Sequence, residues 1–434
     1  MLNQFNVSLW GDEAWAATLA IKPLAQIIKI VAKDTSPPLY YLLDHLWMKI
    51  FGTSEVSIRT LTFLFFLGTV FFTYLLGKYL WDQRTGLWAA GLVFTNPFLF
   101  RYAFEGRMYA LLALTVTASM YFFLRKKSWA YILTTTAALY THHFAIFAIF
   151  VQFLWQIGNS WGLPFKKFLF TFRDFLLIGL LYLPWLSPLY YQTSLVGSGF
   201  WLGKPDINSA GKVLKSFLVG PEKYYFQTIT LISMIFLILV KKWLSNPSKN
   251  FFLLLWFLSP IIFTFGISLV FQSIFFDRYL LYVIPSASLL LASNRRKAGR
   301  LFFVLIIITL TQTNWKFFTH PTKRPFRDFA HLVKNSLDQN TLLINYPGGA
   351  HHLFESKYYG LQAPLFVPED NLPFYVGTAL MAKEDILKKI PTTVSKLNLI
   401  TSNSNIQDLK IANFQILKTF QVDELKLVHL VRNR

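Results

Sequence analysis

The sequence contains no cysteine and is poor in charged residues, acidic ones above all. Without cysteine, disulfides, thiolate metal sites and cysteine nucleophiles are excluded. Only 15% of the 434 residues are charged, and the 21 acidic residues are half as many as the 42 lysines and arginines. Hydrophobic residues make up 54% of the chain and aromatic residues 18%. This composition lies outside the range of soluble domains and predicts an integral membrane protein.

The formal net charge of +21 does not indicate nucleic-acid binding. Most basic residues lie in short clusters between apolar segments. The clusters fall in alternate loops, as the positive-inside rule predicts for cytoplasmic loops. They are Lys78 with Arg84, Arg125-Lys126-Lys127, Lys166-Lys167 with Arg173, Lys241-Lys242, and Arg295-Arg296-Lys297 with Arg300.

The apolar segments between these clusters predict a polytopic bundle of about ten transmembrane helices, by the length needed to cross hydrocarbon. Three regions follow from them: an external loop over residues 1–58, the bundle over 59–314, and an external domain over 315–434. The predicted spans are 59–80, 86–101, 108–124, 128–141, 144–160, 174–191, 224–240, 250–272, 279–294 and 299–314.

The first region is predicted to form amphipathic helices that lie along the membrane surface. Residues 13–33 place lysines on one face and aliphatic residues on another, with a bend at Pro23. A second helix is predicted from Leu39 to Phe51, ending at Gly52. Just after it, Glu55 is expected to pair with Arg59, one helical turn later.

The last region has a different pattern. Short apolar runs of strand length at 341–346, 397–400 and 425–431 alternate with helical stretches at 326–337 and 383–390. This alternation predicts a small α/β domain. His351 and His352 in this domain are expected to be ordinary surface residues.

Two adjacent carboxylates, Asp12 and Glu13, precede the first apolar segment. One interpretation is a helix start whose acidic first turn is stabilised by the helix dipole. The other is a catalytic pair on the external face. From the pair alone the two interpretations are about equally favoured.

A second polar cluster, residues 101–109, lies in a predicted external loop between two short spans. Arg101, Glu105, Arg107 and Tyr109 could anchor the chain at the lipid headgroups. They could equally form a phosphate site, because a guanidinium binds phosphate oxygens in pairs. Glu105 is expected to orient Arg107, with direct acceptor or metal binding as the alternative.

Adjacent histidines, His142 and His143, end another external loop. Neighbouring residues point in different directions and no third ligand is spaced to join them, so a zinc site is disfavoured. Hydrogen bonding to carboxylates or to a sugar is the favoured interpretation.

Taken in order, these motifs resemble one known family. The motifs are the Asp12-Glu13 pair, Ser36-Pro37-Pro38-Leu39-Tyr40-Tyr41, Glu105-Gly106-Arg107-Met108-Tyr109, Tyr140-Thr141-His142 and Asp277-Arg278-Tyr279. Their order and spacing resemble the GT-C glycosyltransferases that use polyprenyl-phosphate sugars, which include protein O-mannosyltransferases, aminoarabinose transferases and lipopolysaccharide-core galacturonosyltransferases. The resemblance is strongest over residues 10–145. The usual first transmembrane helix of the family is absent, so we expect an apolar stretch encoded in frame upstream of Met1.

The resemblance implies a glycosyltransferase with the GT-C fold, a mainly α protein with a small C-terminal α/β domain. Asp12 would deprotonate the acceptor hydroxyl, with Glu13 positioning the acceptor or substituting as base. Arg107 is the first candidate for the donor phosphate, and Arg278 and Lys204 are further ones. We expect the acids and Arg107 to meet in one outward-facing pocket, and transfer to proceed by a single displacement with inversion.

The implied partners are a polyprenyl-phosphate sugar donor, a glycan, lipid or protein acceptor, and membrane lipid, with no nucleic acid. No resident cofactor is expected, although a carboxylate pair leaves a divalent metal possible. The protein is expected in the cell membrane with its active site and C-terminal domain outside. The alternative is a flippase or transporter of lipid-linked sugars, which would place its ionisable residues inside discontinuous spans.

Overall fold

The structure is a computed structural model that describes residues 2–162, 164–221, 225–239, 247–294, 300–338, 341–346, 351–368, 372–403, 411 and 413–433. The protein is mainly helical, with one small sheet. The chain forms two compact units. The first contains residues 1–34, 41–58 and 320–434, and the second contains 35–40 and 59–319.

The predicted amphipathic helices are present near the N-terminus. Helix α1 (Gly11–Ala20) and helix α2 (Leu24–Val31) are separated at Pro23, which precedes the first residue of α2. Ile27 and Val31 are buried, whereas the lysines at 22 and 29 are half-buried and exposed. Helix α3 (Leu39–Phe51) has the predicted bounds, and it ends because Gly52 takes a positive φ of 81°.

The C-terminal part of the first unit is the predicted α/β domain. The strand predictions at 341–346, 397–400 and 425–431 are confirmed, but the helix predicted over 383–390 is wrong, because a 3-10 turn at 383–385 leads there into a short strand. The strands are β1 (Thr341–Asn345), β2 (Leu365–Phe366), β3 (Ile386–Leu387), β4 (Lys396–Thr401), β5 (Phe414–Val422) and β6 (Leu425–Arg432).

The six strands form one sheet in the order β3-β2-β1-β4-β6-β5. The first four pair in parallel, and β6 pairs antiparallel with both β4 and β5. The sheet has an apolar cluster on each face: Leu343 and Leu427 lie on one face, and Ile344 and Val428 lie on the other. Parallel strands need both faces covered, and the alternation within β1 and β6 supplies apolar side chains to both.

The second unit is helical. Most predicted spans correspond to single helices, but 279–294 begins with 3-10 turns and two others are broken. The stretch 86–101 is interrupted at Asn96, and 174–191 is interrupted by a 3-10 turn at 183–185. The helices are α4 (Glu55–Leu80), which begins in the first unit, α5 (Gln83–Thr95), α6 (Pro97–Ala103), α7 (Tyr109–Leu124), α8 (Ser128–Thr141), α9 (Ala145–Ser160), α10 (Phe165–Thr171), α11 (Arg173–Tyr182), α12 (Leu186–Gly197), α13 (Ile207–Val219), α14 (Tyr225–Leu239), α15 (Pro247–Val270), α16 (Ile284–Ala292) and α17 (Arg300–Thr319). The first unit adds α18 (Phe326–Asn335) and α19 (His351–Tyr358).

Within the described ranges, two helices are long and apolar enough to cross a membrane, α4 and α15. Three apolar segments are shorter, at 109–124, 145–160 and 281–292. The basic clusters predicted at 241–242 and 295–297 lie outside the described residues.

Two glycines allow a close contact between α4 and α5 in the second unit. A Cβ atom on Gly86 of α5 would lie 2.5 Å from the carbonyl oxygen of Tyr74, and one on Gly77 of α4 would lie 2.6 Å from the Cα of Gly86. Because these neighbours are backbone atoms, the helices would have to separate to admit a side chain.

We expect Gly86→Ala to lower the free energy of unfolding by about 1–3 kcal/mol, as overpacking does. The matched control is Gly91→Ala in the same helix, whose added methyl would meet a side chain at an ordinary 3.5 Å. Thermal unfolding in detergent measures both, and equal midpoints would contradict the prediction.

A buried carboxyl group in α3 gives a second stability prediction. Asp44 is fully buried, and neither of its carboxylate oxygens has a hydrogen-bond partner among the described residues. Burial raises the pKa of Asp44 to about 8, so the folded protein holds a proton that the unfolded chain releases near pH 4. The contribution of this group to stability is therefore expected to be complete below about pH 4 and to be lost as pH rises toward 8.

The variant Asp44→Asn should flatten this decline. At pH 8 it should be more stable than wild type by about 3–5 kcal/mol. Thermal unfolding between pH 5 and 8 tests it, and an unchanged slope in the variant would contradict the assignment.

Candidate active site

The candidate site of the second unit begins where α6 stops short of α7. Asn96 starts α6 by accepting a hydrogen bond from the backbone N–H of Leu99 at 3.0 Å, and proline follows as its first residue. Residues 104–108 then form a tight turn, in which the N–H of Arg107 donates to the carbonyl of Glu105 at 2.6 Å. This break holds the Glu105–Arg107 turn between two helices.

A second break brings Arg278 to the same place. Two short 3-10 turns, 277–279 and 281–283, precede α16. The carboxylate of Asp277 accepts the N–H of Arg278 at 2.7 Å. The Arg278 guanidinium lies 5.4 Å from the ring centre of Tyr109 and 5.8 Å from that of Tyr279, so two residues predicted from separate external loops are in contact.

The electrostatics of this cluster extend to Arg101, Arg107 and Glu105. Burial raises the pKa of Asp277, and its own backbone contacts with Arg278 and the charges of Arg278 and Arg101 oppose that rise. The guanidinium of Arg101 also lies 5.2 Å from the ring centre of Phe317. Arg101, Arg107 and Arg278 are half-buried, and Glu105 is buried. Three arginines therefore converge on a partly dehydrated region, where each charge acts more strongly than in water.

The two histidines contact different neighbours. His142 packs against Tyr279, with ring centres 4.9 Å apart. His143 hydrogen-bonds the Tyr182 hydroxyl at 3.2 Å and the side-chain oxygen of Gln192 at 2.7 Å. Burial lowers the pKa of His142, and the charges of His143, Arg107 and Arg278 lower it further. Burial also lowers the pKa of His143 to about 4. Both imidazoles are therefore neutral near pH 7, and the positive charge of the site comes from guanidinium groups.

The hydroxyl of Tyr109 is a buried polar group in this cluster that forms no hydrogen bond within the described part of the protein. Tyr109 is 1% exposed, and nothing in the described part of the chain hydrogen-bonds its hydroxyl. A buried hydroxyl without a partner costs free energy. A ligand with acceptor oxygens would satisfy it.

Lys204 has a contact of its own in the second unit. It is exposed, and its ammonium donates to the carbonyl of Leu269 at 3.2 Å.

The two predicted catalytic acids lie in the first unit, in the first turn of α1, and differ in environment. Glu13 is fully buried, and its carboxylate accepts from the Lys323 ammonium at 2.9 Å and from the Trp10 N–H at 3.3 Å. Asp12 is half-buried. Of the pair, Asp12 is the one with solvent access, while Glu13 ties the start of α1 to the C-terminal domain.

One prediction about histidines in the C-terminal domain is wrong. His352 is completely buried, and both of its ring nitrogens form hydrogen bonds. It is hidden because the first turn of α19 packs against the end of β4. No pattern in the sequence signals this contact, since its partners are up to 50 residues away. The side chain of His351 lies outside the described residues.

A family model described as "Dolichyl-phosphate-mannose-protein mannosyltransferase" matches residues 35–189, a range that includes Arg101, Arg107 and His142 but not Asp12. ArnT from Cupriavidus metallidurans in the apo state is similar in structure, with a TM-score of 0.70 and 11% identity, covering 98% of this chain and 94% of that one. The chain has the GT-C fold.

Other structures with this fold are similar as well. ArnT from the same organism bound to undecaprenyl phosphate has a TM-score of 0.65 and 11% identity, covering 98% of this chain and 95% of that one. The oligosaccharyltransferase AglB from Archaeoglobus fulgidus, in complex with an inhibitory peptide and a dolichol-phosphate, has a TM-score of 0.50 and 12% identity, covering 91% of this chain and 66% of that one. No curated protein sequence matches the chain significantly. The alternative of a flippase has no support among these similarities.

Proposed function

We propose that the protein is a multi-pass membrane glycosyltransferase that moves a sugar from a polyprenyl-phosphate carrier to an acceptor on the external face. The acceptor is a hydroxyl-bearing glycan, lipid or protein. The placement of Arg107 and Arg278 beside the buried Tyr109, with Arg101 acting on the neighbouring Asp277, is the observation that carries this proposal. It rests also on the GT-C fold, since lipid-phosphate ligands occur in the structures of ArnT and AglB that the chain resembles.

Two features of the second unit favour a membrane-embedded bundle. Large apolar side chains are exposed on several helices, including Phe71 of α4, Leu133 of α8 and Phe263 of α15. Buried threonines also bond to carbonyls within their own helices, such as Thr117 to Ala113 at 2.6 Å. In hydrocarbon every polar group needs a partner within the protein, and this arrangement supplies one. We propose that about ten segments span the membrane.

The cationic cluster is suited to a lipid phosphate that must leave. The donor is a phosphodiester with one negative charge, and its phosphate gains a second negative charge as the bond to the sugar breaks. Guanidinium N–H groups that donate to the phosphate oxygens therefore stabilise the transition state more than the bound donor. In the proposed reaction Arg107 and Arg278 bind the phosphate and the Tyr109 hydroxyl donates to one of its oxygens. Arg101 adds positive charge, Glu105 orients Arg107, and neutral His142 and His143 shape the wall of the site.

The acceptor needs a base. We assign this role to Asp12, because a half-buried carboxylate can take a proton from a hydroxyl, whereas the Glu13 carboxylate is already held by Lys323 and the Trp10 N–H. The hydroxyl oxygen forms a bond to the anomeric carbon while the bond to the phosphate oxygen breaks. The proton goes to Asp12 and the electron pair leaves with the phosphate. Attack opposite the leaving group inverts the anomeric centre.

The donor class is the decisive test. Membranes that contain the protein are incubated with labelled polyprenyl-phosphate sugars and, in parallel, with the corresponding nucleotide sugars. Label should move to an acceptor from the lipid-linked donor, with release of free polyprenyl phosphate and with no requirement for a nucleotide. Transfer from the nucleotide sugar alone, or no transfer from any lipid-linked sugar tested, would overturn the proposal.

A further inference from the structure

The sheet of the C-terminal domain has a topological switch point, a place where the strand order reverses direction. The proposed sugar transfer does not use it. The connections from β1 to β2 and from β2 to β3 extend the sheet in one direction, whereas β4 lies on the other side of β1. In an open parallel sheet, the crevice at the carboxyl ends of two such strands is the preferred place for a ligand site. Here that crevice lies at the ends of β1 and β4, next to Asn345 and Thr401.

Three chemically matched side chains meet at this point. Ser402 directly follows β4, and His352 and Glu355 lie one turn apart on α19, the first helix after β1. The Ser402 Oγ lies 3.0 Å from the His352 Nε2, and the His352 Nδ1 lies 2.7 Å from the Glu355 Oε2. Nucleophile, base and orienting acid therefore form one continuous line, the arrangement that defines a catalytic triad on any fold.

The hydrogen bonds also fix the direction of proton transfer. An ionised carboxylate can only accept, so the Nδ1 of His352 carries the proton that bonds to Glu355. In the neutral imidazole the Nε2 then has a free lone pair, and the Ser402 hydroxyl donates to it. This is the tautomer in which the histidine can remove a proton from the serine.

The burial of the three residues follows the same order. Glu355 and His352 have side-chain exposures of 3% and 0%, so water does not compete for their hydrogen bond. Ser402 is half-buried, so that of the three residues it is the one that a substrate can reach directly. The ring of Phe326 lies 5.8 Å from that of His352 and limits its rotation.

We propose that Ser402, His352 and Glu355 form a second active site that hydrolyses carboxylic esters. The Ser402 oxygen attacks the acyl carbon while its proton passes to the His352 Nε2. The imidazolium then protonates the departing alkoxide, and an acyl-serine remains. A water molecule gives its proton to His352 and attacks the acyl carbon, and the acid is released as Ser402 regains its proton.

An active-site serine can be trapped covalently, and this gives a direct test. The full-length protein in detergent is treated with a biotinylated fluorophosphonate, and the modified residue is located by peptide mass spectrometry. Hydrolysis of p-nitrophenyl acetate is followed in parallel. The variants are Ser402→Ala, Glu355→Gln and Glu355→Asp, and the matched control is Ser336→Ala, which removes the hydroxyl of a half-buried serine elsewhere in the domain. Thermal unfolding checks that each variant folds.

Wild type and the Ser336→Ala control should be labelled at Ser402 and should hydrolyse the ester. Ser402→Ala should lose both properties. Glu355→Gln should lower kcat by about 100-fold or more with little change in KM, and Glu355→Asp should restore part of that loss, because the carboxylate orients and stabilises the imidazolium. Labelling at another residue, no labelling of folded wild type, or unchanged hydrolysis in Ser402→Ala would overturn the proposal. Sugar transfer should be unaffected in Ser402→Ala.

Discussion

Replacing Arg278 by glutamine is expected to weaken binding of polyprenyl phosphate at least tenfold and to lower the rate of sugar transfer by a larger factor. Arg278 lies over the rings of Tyr109 and Tyr279 in a partly dehydrated cluster. A charge-assisted hydrogen bond there contributes about 1.5–3 kcal/mol, and a tenfold change in affinity corresponds to about 1.4 kcal/mol. The effect on transfer is greater because negative charge on the phosphate grows as the bond to the sugar breaks.

Binding to the purified protein and transfer in membranes are measured on the same preparations. Lys204→Gln is the matched control, because it removes one positive charge from an exposed side chain that contacts the Leu269 carbonyl. It should leave affinity and rate within about twofold of wild type, since exposed charges contribute little. If the two variants behave alike, the phosphate is not bound by the Arg278 cluster.

The second large effect is expected for Asp12→Asn, which should lower the transfer rate by about 100- to 10,000-fold while leaving the affinity for polyprenyl phosphate unchanged. The amide has the size of the carboxylate but cannot accept the proton of the acceptor hydroxyl. Loss of rate with retained binding separates a base from a residue that holds the donor. The measurement is single-turnover transfer from a labelled lipid-linked sugar, with donor binding determined separately.

Asp328→Asn is the control for Asp12→Asn. Asp328 also lies in the first turn of a helix of the same unit, and its side chain is 70% exposed. A change there should leave transfer intact. Glu13→Gln should instead lower stability, because it leaves the Lys323 ammonium beside a neutral group in a buried position. Full activity of Asp12→Asn would remove Asp12 from the mechanism.

Much of the local structure could be predicted because its causes are local. The bounds of α3 follow from an apolar-periodic run that ends at Gly52, and the bend between α1 and α2 follows from Pro23. The strand over 341–345 follows from a short apolar run. Each of these is determined by residues within a few positions of one another.

Other features depend on distant residues and could not be predicted from spacing. The predicted pairing of Glu55 with Arg59 involves a residue one turn away, whereas the contacts of Glu55 with Arg327 at 3.3 Å and with the Tyr359 hydroxyl at 2.9 Å were not predicted. Those partners lie 272 and 304 residues away along the chain. His352 was wrongly predicted to be a surface residue for the same reason, because its partner Ser402 lies 50 residues away along the chain.

The candidate site was only partly predictable. Its residue types were visible in the sequence, because arginine, glutamate and tyrosine are unusual between apolar spans. The sequence did not show which of these residues are in contact, because the contact of Arg278 with Tyr109 requires two helix breaks far apart in the chain. The break at Asn96 was missed because the apolar run continues through it, although Asn-Pro is a recognisable helix start.

Photocrosslinking locates the lipid phosphate on the protein directly. A polyprenyl-phosphate analogue with a photoreactive group next to the phosphate is bound to the purified wild-type protein, crosslinked by light, and mapped by peptide mass spectrometry. If the arginine cluster binds the lipid phosphate, crosslinks fall within residues 98–109 and 274–284 and are lost when unlabelled polyprenyl phosphate competes. Crosslinks confined to other segments, such as the apolar cavity lined by Leu154, Trp155 and Phe251, would contradict it.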